Sequence, residues 1–339
     1  MTQYIGIDLH KSKSFITRVN GRGRVLEQVE VAHASGELQH YLTRLPRDSR
    51  IAVEATGNWM WFYELIEEQC PDVVLAHPLR TKAIASARIK TDKIDATTLA
   101  QLCRADLIPA AYIPPRAIRD HREILRYRAS LVRLRTQVKN KISAIVSKTG
   151  LIPPTKTAFG VKSRRYFATV AVRSCYRLAL DGYLRSLTHL TEEIAHVTQK
   201  IEAEVAVTPQ AQLLCTMPGI AAFSALLILS EIGDVHRFPD SQHLCSYAGL
   251  VPSVHASGGK TRLGRLTKQG SRWLRWILVE QSVHAINGAP QFRRLYYRVA
   301  KKHGRNVGRV AVARAMLKTI YAMLKHQEAF RPITKEDAG

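Results

Sequence analysis

Four carboxylates in three separated stretches constrain this chain more than any other feature. Asp8 lies in Ile5-Gly6-Ile7-Asp8, Glu54 in Ala52-Val53-Glu54-Ala55-Thr56-Gly57, and Asp92 and Asp95 in Lys90-Thr91-Asp92-Lys93-Ile94-Asp95. The first two close short β-branched runs, which places each at the end of a strand. The third pair is spaced i, i+3, which puts both on one face of a helix. A fold that gathers four anionic groups needs a counter-charge, and divalent cations between the oxygens supply it. Two such ions held roughly 3.5–4 Å apart stabilise both the attacking and the leaving oxygen at phosphorus. Taken singly, each carboxylate is ordinary: strand-end acids are usually solvated, and Asp92 has the alternative role of capping the helix that contains Asp95. Their joint occurrence with Gly6 before Asp8 and Gly57 after Glu54 favours the metal reading.

The charge distribution points to a polyanion. Of 339 residues, 51 are Lys or Arg and 27 Asp or Glu, a formal net charge of +24. Residues 1–115 carry 14 basic and 13 acidic residues, whereas residues 116–339 carry 37 and 14, so nearly all the excess lies in the second part. An asymmetry of this size suits nucleic acid; a membrane surface fits less well, because no basic amphipathic anchor with membrane-facing aromatics is present. The five cysteines are scattered with no C-x-x-C pair, which argues for reduced thiols in a cytoplasm and against a zinc module. No apolar run approaches a membrane span, and the N-terminus opens directly into a strand pattern without a signal peptide. The expectation is a cytoplasmic protein associated with the nucleoid.

Strands are expected at 3–9, 13–19 and 24–31, the last two joined by the turn Asn20-Gly21-Arg22-Gly23. A helical stretch near 35–45, a strand at 50–54, a helix at 58–69, a strand at 72–76 and a helix from about 93 to 105 follow. Three meandering strands and then alternating helices and strands imply an α/β sheet, of the kind that in a ribonuclease-H-like domain presents acids at strand ends and on a late helix. Pro109, Pro114 and Pro115 mark a boundary. Beyond it, Leu131, Leu134, Val138, Ile142 and Ile145 form one helical stripe, and Leu187, Leu190, Ile194, Val197, Ile201 and Val205 another. Both fit long helices that pair as a coiled-coil-like hairpin or across subunits, with Gly150 to Lys162 as the loop between them.

The chain from 208 onward reads as helical. Thr216-Met217-Pro218-Gly219-Ile220 leads into the apolar helix Ala221 to Ile232. A tight turn of this kind resembles a helix-hairpin-helix, whose amides contact a phosphate backbone, or else it is an ordinary αα-turn. Residues 252–272 hold four glycines and five cations before a helix and read as a loop suited to close approach of a phosphate backbone. Ser257, in Ala256-Ser257-Gly258-Gly259, has two roles open: presenting its hydroxyl to a phosphate as nucleophile, or simply hydrogen bonding. Between 254 and 314 there are 14 basic residues and one acidic residue, Glu280. Trp273, Trp276, Tyr296 and Tyr297 interleave with them, placed either to stack on bases or to pack a helical core. Candidate nucleic-acid-binding cations are Arg126, Arg133 and Lys139 on the first long helix, and Lys260, Arg262, Arg265, Lys268 and Arg272 in the glycine-rich segment.

The ordered motifs G-I-D, E-A-T-G, K-T-D-x-x-D-A, P-G-I, and A-G-L-x-P followed by S-G-G-K span nearly the whole chain. In this respect the sequence resembles the DEDD transposases of the insertion-sequence one-ten family, also described as bridge-RNA-guided serine recombinases. The resemblance implies a RuvC-like catalytic domain over 1–110 and a serine-bearing transposase domain over 206–327. Between them 111–205, which matches in helical character only, reads from its own stripes as a basic helical or coiled-coil region, and 328–339 reads as a tail. The resemblance places the acidic tetrad on Asp8, Glu54, Asp92 and Asp95, with Mg²⁺ as cofactor (Mn²⁺ as substitute), and the nucleophile on Ser257. It further implies donor and target DNA, a structured guide RNA, a homodimer that assembles to a tetramer, and tetrad and serine drawn from different subunits. Three competing readings share parts of this pattern. One is a metal-dependent nuclease of the Holliday-junction-resolvase kind, with water as nucleophile; another is an actin-like ATPase, since G-I-D-x-H-K can open a phosphate-binding hairpin. The third is a nucleic-acid scaffold with a dead site. The chain has no second Asp-x-Gly phosphate loop, which disfavours the ATPase, and four intact carboxylates disfavour the scaffold.

Overall fold

A computed structural model describes residues 2–67, 70, 72–85, 91–257 and 260–332, apart from the side chains of residues 35, 254–257, 260, 261 and 263. The chain divides into two compact units, residues 1–113 and 114–339.

The first unit runs β1 (Tyr4–Leu9), β2 (Lys13–Val19), β3 (Val25–Ala32), α1 (Glu37–Thr43), β4 (Arg50–Glu54), α2 (Trp59–Ile66), β5 (Val73–Ala76), α3 (Pro78–Ile84) and α4 (Asp92–Arg104). The five strands form one mixed sheet in the order β3-β2-β1-β4-β5. β1, β2 and β3 pair antiparallel, and β4 and β5 continue from β1 in parallel. This arrangement is consistent with a ribonuclease-H-like domain. Alternation along the strands divides the side chains between two faces. Ile5, Ile7, Leu9, Ile51 and Val53 pack with Leu38, Leu42, Phe62 and Ile66 from α1 and α2. On the opposite face Ala52 and Ala76 pack with Leu99 and Cys103 of α4.

What lets α4 lie on the sheet is the side chain that Gly6 lacks. A Cβ at Gly6 would overlap the carbonyl oxygen of Ala96 and the amide nitrogen of Ala100, so helix backbone rests directly on strand backbone. Hydrogen bonds fix the rest of its course. Thr97 Oγ1 lies 3.2 Å from Thr17 Oγ1 and accepts from Gln28 Nε2 at 2.9 Å, while Gln101 Nε2 donates to the Gly23 carbonyl at 2.7 Å. The N-cap is Thr91, whose hydroxyl accepts from Ile94 N, so Asp92 is not the cap that its sequence position allows. α3 was not expected from the sequence; it begins at Pro78, whose ring suits the first helical turn.

The second unit runs α5 (Arg116–Thr149), α6 (Val161–Thr169), α7 (Ser174–Val207), α8 (Pro209–Cys215), α9 (Ala222–Ile232), α10 (Ser241–Tyr247), β6 (Pro252–Ser257), β7 (Lys260–Leu266), α11 (Arg272–Gly288), α12 (Pro290–His303) and α13 (Arg305–His326). α5 and α7 have 34 residues each. At 1.5 Å per residue that is about 50 Å of helix. They pack antiparallel: His121 meets Glu204, Tyr127 meets Glu193, Arg128 meets Thr198, and Ile142, Ile145 and Val146 share a cluster with Leu180 and Leu187. Leu134 is 45% exposed, because its position turns it to the edge of the α5 stripe. The loop expected over 150–162 ends at Gly160; Val161 and Lys162 already begin α6, whose Phe167 is buried against the two long helices.

A second correction concerns 252–272. Instead of a loop, its first part is a β-hairpin, with β6 and β7 antiparallel and Ser257 paired to Lys260. The hairpin's foot is closed by the Thr267 amide donating to Val251 and the Ser271 amide to Tyr247. Gly249, of the A-G-L motif, has φ +64°, and Gly270 has φ +95° with the Tyr247 carbonyl where a Cβ would stand. Both positions demand glycine. The P-G-I turn has a packing explanation too: Gly219 has φ +91°, and a Cβ there would meet the backbone of α11 at Gln281 and Ala285. The amides of Thr216, Met217 and Ile220 donate to carbonyls within that turn and the end of α8.

Candidate metal centre and nucleic-acid face

Asp8 follows Gly6 by two residues, so it faces the same side of the sheet and meets the N-terminal turn of α4. There His10 stands between two acids. Its Nε2 is 3.3 Å from Asp8 Oδ2 and 3.3 Å from Asp92 Oδ2. One ligand atom from each of Asp8, His10 and Asp92 lies within 4.8 Å of the others. Burial raises the Asp8 carboxyl above the ordinary range; His10 pulls it down, and the negative charges of Asp92 and Asp95 push it up again. Asp95 is therefore close enough to be felt at Asp8. Both α4 acids occupy the first turn of their helix, where the aligned peptide dipoles favour negative charge and offset part of the repulsion.

Glu54 closes β4, one position beyond the Ile7–Val53 pair of the parallel β1–β4 ladder. It follows Ala52 by two residues, and Ala52 packs against α4, so Glu54 shares the face of Asp8. The loop after it is tied to the same corner: Thr56 Oγ1 donates to Asn58 Oδ1, and Asn58 Nδ2 donates to the His10 carbonyl at 2.7 Å. All four predicted carboxylates thus belong to one side of one sheet, with Asp8 and Asp92 in direct register across an imidazole. The donor set fits a hard divalent cation through its carboxylates, and the imidazole widens it towards Mn²⁺. His10 was not among the expected site residues. Its signal was the D-x-H spacing, which returns the side chain at i+2 to the strand face of Asp8.

Ser257 closes β6 opposite Lys260. The side chains of both residues lie outside the described part, as do Gly258 and Gly259. Arg262, Arg265, Lys268 and Arg272 are exposed, as is Arg133 on α5. Two of the expected cations have protein partners. Arg126 is 3.1 Å from Glu231, a side chain only 4% exposed. Lys139 stands 5.3 Å above the Phe159 ring, its pKa lowered by burial and by Arg135 and Arg164. Arg293, Arg294, Arg298, Lys301 and Lys302 of α12 add a further exposed basic surface. No helix of the described residues is long and apolar enough to cross a membrane.

Two family profiles match this chain. Residues 5–150 match the profile of a transposase family of the DEDD IS110 type, and residues 211–297 match the profile described as the transposase IS116/IS110/IS902 family. A probable family 20 transposase of Pseudomonas aeruginosa is 25% identical over 97% of this chain and 98% of its own length. The transposase for insertion sequence element IS1111A of Coxiella burnetii is 24% identical over 96% of this chain and 91% of its own. A pilin gene-inverting protein of Moraxella bovis is 30% identical over 45% of this chain and 51% of its own. The chain belongs to the IS110 family of transposases, enzymes that act on DNA. The DEDD type implies a divalent metal.

Proposed function

We propose that this transposase excises and inserts its own mobile element by a serine-linked recombination supported by the Asp8, Glu54, Asp92 and Asp95 tetrad. The observation that carries the reading is the meeting of Asp8 and Asp92 at His10, on the face that Glu54 also presents. Those carboxylates would hold Mg²⁺, which when bound supplies Lewis-acid stabilisation of negative charge at phosphorus. His10, within reach of two of them, orients their oxygens and adds a nitrogen donor.

Ser257 is the nucleophile in this reading. Its hydroxyl gives up a proton as the Oγ–P bond forms, one P–O ester bond of the strand breaks, and the departing strand hydroxyl takes a proton. The reverse exchange with a second strand end restores the serine. Because each step trades one phosphodiester for another, no nucleotide cofactor is consumed. Relatives named for inverting a pilin gene support a cut-and-rejoin outcome. The basic second unit holds donor and target DNA and a structured guide RNA through Arg133, Lys260, Arg262, Arg265, Lys268 and Arg272. Base pairing with that RNA selects sequence while the protein grips backbones. A homodimer that assembles to a tetramer would pair the tetrad of one subunit with the serine of another, within the nucleoid.

The deciding experiment is a denaturing gel of reactions with a labelled element end. Wild-type protein should give a protein–DNA adduct, and Ser257→Ala should give none while DNA and RNA binding persist. An undiminished adduct in that variant refutes the serine; cleaved ends that carry only free phosphate establish instead a metal-dependent nuclease in which water attacks.

A further inference from the structure

Between α5 and α11 the second unit carries a cleft of about 340 Å³, lined by Ala129, Val132, Arg133, Arg272, Trp273 and Trp276. We propose that this cleft receives a single unpaired nucleobase, stacked on Trp276, with the adjoining phosphates held by Arg133 and Arg272.

The two tryptophans differ in a way that packing alone does not require. Trp273 packs against the core of the unit. The Arg126 guanidinium stands 5.9 Å from its ring, and Arg126 is held at 3.1 Å by the buried Glu231. The other Glu231 oxygen accepts from Ser271 Oγ at 2.8 Å, and Ser271 in turn caps α11. A buried carboxylate thus fixes both the start of α11 and the ring of Trp273. Trp273 then meets Trp276 edge to face, with centroids 5.6 Å apart and planes at 82°. Trp276 itself is 42% exposed. It is a large apolar ring braced from inside and open to solvent outside.

The surroundings select the occupant. The cleft lies at the small end of the roughly 300–1,000 Å³ range for ligand sites, enough for one planar group and too little for a protein element. Arg133 and Arg272 are exposed, and among the described residues neither has a carboxylate partner. Arg272 and Glu280 stand one helical turn to either side of Trp276 on α11 and both are exposed, so positive charge precedes the ring along the helix and negative charge follows it. A base stacked on Trp276 therefore has its phosphates directed to the arginine end. Paired bases inside a duplex do not offer a free face, so the ligand is an unpaired nucleotide of DNA or RNA.

The test is a titration of full-length protein, in chelator so that no strand is cut, with matched 12-nucleotide single-stranded DNA, single-stranded RNA and duplex DNA. Each base stacked on an aromatic ring supports roughly a 5- to 150-fold change in affinity. Trp276→Ala should weaken single-strand binding by that factor, Trp276→Phe should recover most of it, and duplex binding should stay unchanged. A loss confined to the DNA or to the RNA oligonucleotide identifies the strand that occupies the cleft. Equal affinity of wild type and Trp276→Ala for both single strands overturns the proposal. So does a loss equal on single strand and duplex, or a variant whose only change is its sedimentation behaviour, which would make the cleft an interface between copies. None of these outcomes depends on Ser257 or the tetrad.

Discussion

In the first unit a helix meets the sheet backbone to backbone, while in the second unit two long helices meet through side chains. At Gly6 nothing separates β1 from α4, and the acids at the start of α4 are carried to Asp8 by that contact. Between α5 and α7 the contact is spread over many residues from Leu125 to Val205, and no single one defines it. Charge follows the same division. The first unit concentrates acids at one corner, whereas the second spreads cations over α5, the hairpin and α12. A site that must hold ions to a fraction of an ångström is built on the contact with least freedom. A surface that grips a flexible polyanion tolerates a distributed one.

Removing a tetrad charge should have the largest effect. Asp92→Asn is expected to lower strand cleavage by about a thousandfold or more, since bound metal contributes several kcal/mol to such a transition state. Nucleic-acid binding by the second unit should survive, as read by gel shift. The same variant should lose the rise in melting temperature that Mg²⁺ gives the wild type through preferential binding to the folded state. Equal metal-induced stabilisation in both proteins would separate Asp92 from the metal and break the contrast.

Leu187→Ala, in the fully buried seam of α7, should cost about 2–5 kcal/mol in denaturant unfolding of the second unit. If the seam distributes its load, the variant should still bind nucleic acid at low temperature.

Gly6→Ala should destabilise the first unit by about 1–3 kcal/mol and reduce cleavage along with it, because the added methyl must push α4 off β1. Gly21→Ala is the matched control: a Cβ there meets nothing within 4 Å, so its stability should stay within about 0.5 kcal/mol of wild type. A Gly6→Ala protein with unchanged stability and activity would show that backbone contact does not set the site.

The smallest expected change tests the spread of cations. Arg298→Ala on the exposed face of α12 should reduce the slope of log affinity against log salt by about one, with little dependence on sequence. An unchanged slope would remove α12 from the nucleic-acid face.

Several features of the site were legible because they are local. Strand-end acids at Asp8 and Glu54 follow from β-branched runs, and the shared face of Asp92 and Asp95 from helical spacing. The antiparallel β2–β3 pairing follows from the turn Asn20-Gly21-Arg22-Gly23. The hairpin at 252–266 was hidden by its own composition: glycine and arginine break the alternation that marks a strand, and its pairing is completed by the glycine-dependent foot at Gly249 and Gly270. Leu134 falls in the same helical stripe as the buried Leu131 and Ile142 yet is exposed, because spacing alone does not distinguish the centre of a stripe from its edge.

Chain order and side-chain chemistry settled by themselves that this protein would carry acids on an α/β unit and cations on a helical one, since both follow from composition and short-range periodicity. Only tertiary contact decided that His10 stands between Asp8 and Asp92, that Gly6 serves as the seat of α4, and that Trp273 is fixed while Trp276 is open. Those outcomes depend on distances between elements far apart in the chain, and close packing sets such distances where local propensity has no influence.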